Sequence, residues 1–285
     1  MRVISDARRV RFSWLRWSAA AAVLVGLVLP ASAQQQPAQP KPAEPKPAAP
    51  KPAPAPAPTV SGKNPLTMPE TAGTADNIPP EGFVALFNGK DLAGWRGLPK
   101  GPNDNPIKRN ALTPEERAKV QAEADENMRA HWKVEDGALV FDGKGRSLCT
   151  EKQYGDFEMW VTWKIKEAGD SGIYVRGTPQ IQIWDTALTK VGAQVGSGGL
   201  YNNQKNPRVP LVKADKPVGE WNTFFIRMVG EKVTVYLNGK LVVDEVTLEN
   251  YWDRKQPIFP KEQIELQNHG NTLWFKNVYV KELSK

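Results

Sequence analysis

Ser171-Gly172-Ile173-Tyr174-Val175-Arg176, then Gly177-Thr178-Pro179, then Gln180-Ile181-Gln182-Ile183-Trp184-Asp185: these fifteen residues read as two β-strands joined by a turn. Side chains alternate across a strand, so Ile173 and Val175 point one way on the first run, and Tyr174 and Arg176 the other. On the second, Ile181 and Ile183 oppose Gln180, Gln182 and Trp184. If the two polar sets share a face, that face carries a guanidinium, two amides, a phenol and an indole. Amides and guanidinium hydrogen-bond hydroxyls, and aromatic rings cover C–H patches, so the mixture suits a sugar. An ordinary solvated sheet face, the default for antiparallel pairs, is the other reading.

Further strand patterns surround this hairpin. Phe157-Glu158-Met159-Trp160-Val161-Thr162-Trp163-Lys164-Ile165 alternates cleanly, with Phe157, Met159, Val161, Trp163 and Ile165 on one side. Phe224, Ile226 and Met228 form the apolar set of another strand. Val233, Val235 and Leu237 lead into Asn238-Gly239, a strong hairpin turn, with a return strand over 241–246. Residues 264–267 and 273–280 supply two more. Many strands at turn-punctuated spacing predict an all-β sandwich or jelly roll. Trp95, Trp132, Trp163 and Trp221 are expected in its core. One helix interrupts the pattern: Thr113-Pro114-Glu115-Glu116 combines an N-cap, a first-turn proline and a capping-box glutamate, predicting a helix to about Arg129. The segment 96–130 is therefore an insertion, read as a cover for a sheet edge or as a lid.

The N-terminal part has another character. Arg2, Arg8, Arg9, Arg11 and Arg16 precede an apolar run over 19–29 and Ala31-Ser32-Ala33, the pattern of a cleaved secretory signal over 1–33. The apolar run is short for a membrane span, which needs roughly 20 residues. An uncleaved anchor is the alternative. Ten prolines fall within 34–60, a composition that cannot bury enough apolar surface to fold. Residues 34–80 are thus expected to be a disordered linker with an irregular lead-in, tethering the domain to a membrane or wall. The chain is expected to be exported, to the periplasm or the cell exterior. The formal charge of +7 is mostly a leader effect, since residues 1–76 carry +5 and the rest +2. Such a balance leaves no nucleic-acid footprint. Cys149 is the single cysteine, so no intrachain disulfide can form; it reads as a buried structural thiol.

Several motifs fall in a recognisable order: Leu86-Phe87-Asn88-Gly89-Lys90-Asp91-Leu92-Ala93-Gly94-Trp95, Trp132-Lys133-Val134-Glu135-Asp136-Gly137, Tyr154-Gly155-Asp156-Phe157-Glu158, the opening hairpin, Gly198-Gly199-Leu200-Tyr201, Gly219-Glu220-Trp221-Asn222 and Ile264-Glu265-Leu266-Gln267-Asn268-His269-Gly270. Together, over 81–284, they resemble the 3-keto-disaccharide hydrolase domain family. The resemblance implies a concanavalin A-like jelly roll and an exported enzyme cleaving 3-keto-glycosides, downstream of a glycoside 3-dehydrogenase. A C3 ketone acidifies the C2 proton. A base can then form an enolate that expels the C1 substituent, and later hydration makes the net result hydrolysis. Such a site needs a base and a donor for the enolate oxygen. It does not need the carboxylate pair of ordinary glycosidases.

Three residues are the expected catalytic groups. Arg176 would bind the ketone or a hydroxyl, Asp185 would act as base or metal ligand, and His269 as base or ligand. Tyr174, Gln180, Gln182, Trp184, Tyr201 and Gln267 are the expected substrate contacts, with Trp184 as stacking platform. Asp170 reads as a turn former, and His131 as structural. A divalent cation held with His269 stays open. Gln180 stands where the family usually has glutamate, and an amide cannot act as a base. A non-catalytic carbohydrate-binding module of the cell envelope is therefore the alternative.

Overall fold

The computed structural model describes residues 68–73 and 75–283. The expected signal segment over 1–33, and the linker up to residue 67, lie outside the described residues.

Among the described residues, thirteen strands form two antiparallel sheets. They are β1 (Val84–Ala85), β2 (Trp95–Gly97), β3 (Trp132–Glu135), β4 (Ala138–Phe141), β5 (Leu148–Thr150), β6 (Phe157–Ile165), β7 (Asp170–Val175), β8 (Thr178–Trp184), β9 (Asn222–Val229), β10 (Lys232–Leu237), β11 (Lys240–Thr247), β12 (Glu265–Leu266) and β13 (Leu273–Glu282). The larger sheet runs β11-β10-β9-β6-β13-β4-β3, with β1 also on β13; the smaller runs β2-β5-β12-β7-β8. Their facing sides bury one core that joins Met159, Val161 and Trp163 of the larger sheet to Ile173, Ile181, Ile183 and Leu266 of the smaller. The alternation read in β6 is the cause: its inward side chains are all buried, and burying each is worth roughly 1.5–3 kcal/mol. The expected β-sandwich is the fold.

The outer face of the larger sheet carries a second cluster, in which Trp160, Phe225, Tyr236 and Tyr279 pack with Ala72 of the lead-in. Asn77 and Asn277 clamp that segment, each backbone N–H donating to the other's side-chain oxygen at 2.7 and 3.1 Å. Trp221 departs from its expected place. It is half-buried outside the core cluster, with the Lys164 and Lys276 ammonium groups 4.7 and 4.5 Å from its ring. The Lys stems and the cation–π attraction cover it instead of apolar neighbours.

The insertion folds as a short helix α1 (Pro106–Asn110) and a longer α2 (Pro114–His131) with the expected capping box. Helix α2 covers the edge strand β2. Gln121 Nε2 donates to the Gly97 carbonyl at 2.9 Å, and Gly97 N–H donates to Asp125 Oδ1 at 2.9 Å. The unpaired edge groups of β2 are thus satisfied by helix side chains. Position 97 has to be glycine, because a Cβ there would stand 2.0 Å from the Ala124 carbonyl oxygen.

Candidate functional site

The outward face of the smaller sheet carries the polar set. Asp170 faces Trp184 across the β7–β8 pair, Gly172 faces Gln182, and Tyr174 faces Glu265 across β7–β12. The strand interiors Ile173, Ile181 and Leu266 go to the core, so strict alternation forces Tyr174, Gln180, Gln182 and Gln267 onto the other side. There they line a cleft of about 510 Å³.

One wall is a hydrogen-bonded line. Gln180 Nε2 donates to Gln182 Oε1. Gln182 Nε2 donates to Asp170 Oδ1 at 2.7 Å, and Asp170 Oδ2 stands 3.6 Å from His269 Nδ1. His269 sits on the loop after β12 with its side chain 56% exposed and lines the cleft. Burial raises the Asp170 carboxyl above its usual range; the His269 charge and the Gln182 amide pull it partly back. The floor is Tyr174, whose hydroxyl accepts from Gln267 Nε2 at 3.1 Å. That bond uses the oxygen as acceptor and leaves the phenol proton for another partner. Burial, reinforced by the charges of Glu265, Asp104 and Asp170, holds the phenol well above its ordinary range. It therefore stays a neutral donor. Gln267 Oε1 is buried without a protein partner, an acceptor that a ligand hydroxyl can satisfy.

Trp184 lines the cleft but is almost wholly buried. Its indole N–H is spent on the Gly196 carbonyl at 2.8 Å, and its ring meets Tyr201 edge-on at 5.5 Å. Tyr201 and Tyr251, each exposed, take over as open aromatic surfaces at the rim.

Arg176 and Asp185 are not in this cleft. The turn expected at Gly177-Thr178-Pro179 lies one step earlier: Val175 pairs with Thr178, and Arg176 and Gly177 are the two turn residues, with φ +55° and +65°. Two positive φ values make the tight hairpin turn whose twist matches its strands. Gly177 also has to be glycine, since a Cβ would meet Glu262 and Pro106 side chains at 2.9 and 3.0 Å. The turn takes Arg176 off the polar face. Its guanidinium is buried, bonding Asp156 Oδ1 at 3.0 Å and the Phe259 carbonyl at 2.7 Å. Asp185 directly follows β8 with both oxygens committed, to Ala168 N–H and Ala187 N–H at 2.9 Å each. Each does a structural job in place of the catalytic one expected of it. Replacing Arg176 with methionine is expected to cost about 3 kcal/mol, by leaving Asp156 without its ion-pair partner, only the Gly230 N–H remaining on its Oδ1, and the Phe259 carbonyl without this donor. The activity per folded molecule should be retained. Urea unfolding and active-fraction-corrected kcat check both halves.

Three features of the site carried no sequence signal. Asp104 comes from the insertion, and Tyr251 and Trp252 from the loop before β12. The third is Glu265, on the same sheet face as Tyr174 and Gln267. Burial raises its carboxyl to about 7, against the opposing pull of Ser147 and Arg109. A buried acid keeps its proton longer in the folded state than in the unfolded chain. Its favourable contribution is therefore complete below about pH 4.5 and is lost as pH rises through about 7. Glu265→Gln should flatten this loss, worth about 3 kcal/mol at most. The check is the urea midpoint of both proteins between pH 4 and 8. A wild-type curve no steeper than the variant's would contradict it.

Among the described residues no group of three His, Cys, Asp or Glu side chains is placed to hold a metal ion. His269 and Asp170 form a pair only. Cys149, on the same face beside Glu265, is buried and free, and burial pushes its thiol well up. His131 is structural, with Nδ1 2.9 Å from Asp142 Oδ2 at the end of α2.

The two-sheet sandwich thus carries one amide- and phenol-lined cleft on its outer face. The chain belongs to the 3-keto-alpha-glucoside-1,2-lyase-like domain family, whose model matches residues 82–281. It is 22% identical over 254 residues to a 3-keto-disaccharide hydrolase of Bacteroides thetaiotaomicron, covering 71% of this chain and 79% of that protein. Two crystal structures of Parabacteroides distasonis proteins described as candidate glycosyl hydrolases share the fold. Both have a TM-score of 0.52 at 24% identity, the first covering 74% of this chain and all of its own, the second 72% and 85%.

Proposed function

We propose that this domain cleaves 3-keto-glycosides by removing the C2 proton and expelling the C1 substituent. The observation that carries the reading is the His269–Asp170 pair facing Tyr174 and Gln267 across one cleft. Neutral His269, its Nδ1 turned to Asp170 Oδ2 at 3.6 Å, presents the Nε2 lone pair as base. His269 Nε2 takes the C2 proton, and the C–H electron pair becomes the enolate of C2, C3 and the ketone oxygen. Tyr174 donates its free proton in a hydrogen bond to that oxygen, where charge develops. Collapse of the enolate restores the ketone, forms the C1–C2 double bond and breaks the bond from C1 to the leaving oxygen. Tyr201, an exposed hydroxyl at the rim of the cleft, protonates that oxygen. Water adding to C1, with a proton returned to C2, completes a net hydrolysis. No carboxylate at position 180 is needed: Gln180 and Gln182 fix Asp170 through neutral amides, and Asp170 fixes the base.

The ketone has to be installed first, so the chain acts after an enzyme that oxidises the C3 hydroxyl of a glycoside. The leader-like pattern over 1–33 supports export, and the proline-rich segment a tether. The test is incubation with a 3-keto-disaccharide and with its unoxidised parent, following monosaccharide release. Release from the oxidised sugar alone supports the reading, whereas release from neither sinks it. The second reading, a binding module, is favoured by Gln180. Saturable binding of unoxidised oligosaccharide without turnover of the ketone would establish it.

A further inference from the structure

The base, its orienting line and the Tyr174 floor account for one part of the cleft. The rest is built by segments outside the sheet, namely Asp104 from the insertion and Tyr251 and Trp252 from the loop before β12. Asp104 is held there firmly. Arg109, buried in α1, bonds the carbonyls of Asn103 and Asp104 at 3.3 and 3.0 Å with one nitrogen and Glu262 at 3.2 Å with the other. Asn105 N–H donates to Asp104 Oδ1 at 2.8 Å, and Asn105 itself caps α1. Glu262 thereby neutralises the Arg109 guanidinium, so it offers little charge to Asp104. Among the described residues the Asp104 carboxylate forms no ion pair.

The charge balance of the cleft is one-sided. Its lining includes Asp104 and Asp170 but neither lysine nor arginine, and its one titratable base, His269, already faces Asp170. A second observation marks the same space as a ligand site: Gln267 Oε1, on a side chain more than nine-tenths buried, is an acceptor without a partner. If the oxidised sugar sits against His269 and Tyr174, the leaving group lies towards Asp104, Tyr251 and Trp252.

We infer that Asp104 selects the leaving group by charge, so that neutral and cationic aglycones are accepted and anionic ones are refused. This rests on the proposed cleavage. A carboxylate about 5 Å from a charged substituent, in a cleft open to water, interacts by an amount that changes affinity on the order of tenfold in each direction. The aromatic surfaces of Tyr251, whose ring already carries the Arg254 guanidinium at 5.4 Å, and of Trp252 beside it favour a ring-shaped aglycone.

The test uses two 3-keto-glucosides whose aromatic aglycones differ only in carrying an aminomethyl or a carboxylate group. The ratio of their kcat/KM values is compared between wild type and Asp104→Asn, which keeps the oxygen that Asn105 N–H needs. Comparing ratios between proteins cancels the difference in leaving-group chemistry. The wild-type ratio should exceed the variant's on the order of a hundredfold, tenfold from each aglycone, and should shrink with added salt, since opposite charges in a wet cleft are screened. The salt series needs no mutant and serves if the variant fails to fold. Equal ratios, or a wild-type ratio indifferent to salt, overturn the inference while leaving the cleavage intact. If no 3-keto-glucoside turns over, the proposed function fails. The same pair is then compared by dissociation constant: tighter ammonium binding that salt weakens sustains the charge selection, and equal binding ends it.

Discussion

His269→Gln is expected to lower kcat on 3-keto-glycosides by about 10²–10⁴-fold. The side chain lies on an exposed loop and is itself mostly exposed, so the fold does not depend on it. Glutamine keeps a polar group near Asp170 but has no lone pair basic enough to take a carbon-bound proton. KM should change little, because the imidazole acts mainly where the proton moves, in the transition state. Steady-state kinetics with a melting curve checks this. Equal kcat in the two proteins would remove His269 from the chemistry and point to Glu265 or another group as base.

Tyr174→Phe is the second large effect. The phenol gives up one hydrogen bond, to an oxygen that carries full charge only in the enolate, and removing such a donor costs about 10²–10³-fold in kcat. The substitution also strands Gln267 Nε2, whose acceptor at 3.1 Å is lost, at about 1–3 kcal/mol of stability. These two losses separate by measurement. Urea unfolding reads the second, and kcat per active site reads the first. A variant that loses stability but keeps kcat would make Tyr174 a structural post for Gln267 and no more.

The sandwich was legible because its strands obey period-two alternation. Phe157 to Ile165 and Phe224 to Met228 place every second side chain in the core, and Asn238-Gly239 closes the β10–β11 hairpin where expected. The helix was legible from Thr113, Pro114 and Glu116 alone. Alternation also gathers Tyr174, Gln180, Gln182 and Gln267 on one face, since it needs only strand identity. It failed at Arg176, because the turn begins one residue earlier than expected and takes Arg176 out of the strand, and nothing local to Gly177-Thr178-Pro179 excludes the later turn. The bonds that decide it are distant: Arg176 reaches Asp156 and Phe259, and Gly177 is crowded by Pro106 and Glu262. Asp185 looked like a site residue for a related reason. A carboxylate at a strand end is chemically identical whether it faces a ligand or, as here, two backbone N–H groups. Asp104 and Tyr251 could not be placed from sequence, because each joins the cleft through tertiary packing of an insertion or a long loop.

Both functional variants and the aglycone series presuppose the same event, loss of the C2 proton to a protein base before the glycosidic bond breaks. The direct measurement is turnover of a 3-keto-disaccharide carrying deuterium at C2, compared with the protium compound on wild-type protein. Carbon–hydrogen cleavage by His269 predicts slower turnover of the deuterated sugar, with deuterium lost from C2 of the released keto-sugar in ordinary water. Equal rates with deuterium fully retained would show that the bond to C1 breaks without touching C2, and the assignment of His269 as base to that proton would be wrong.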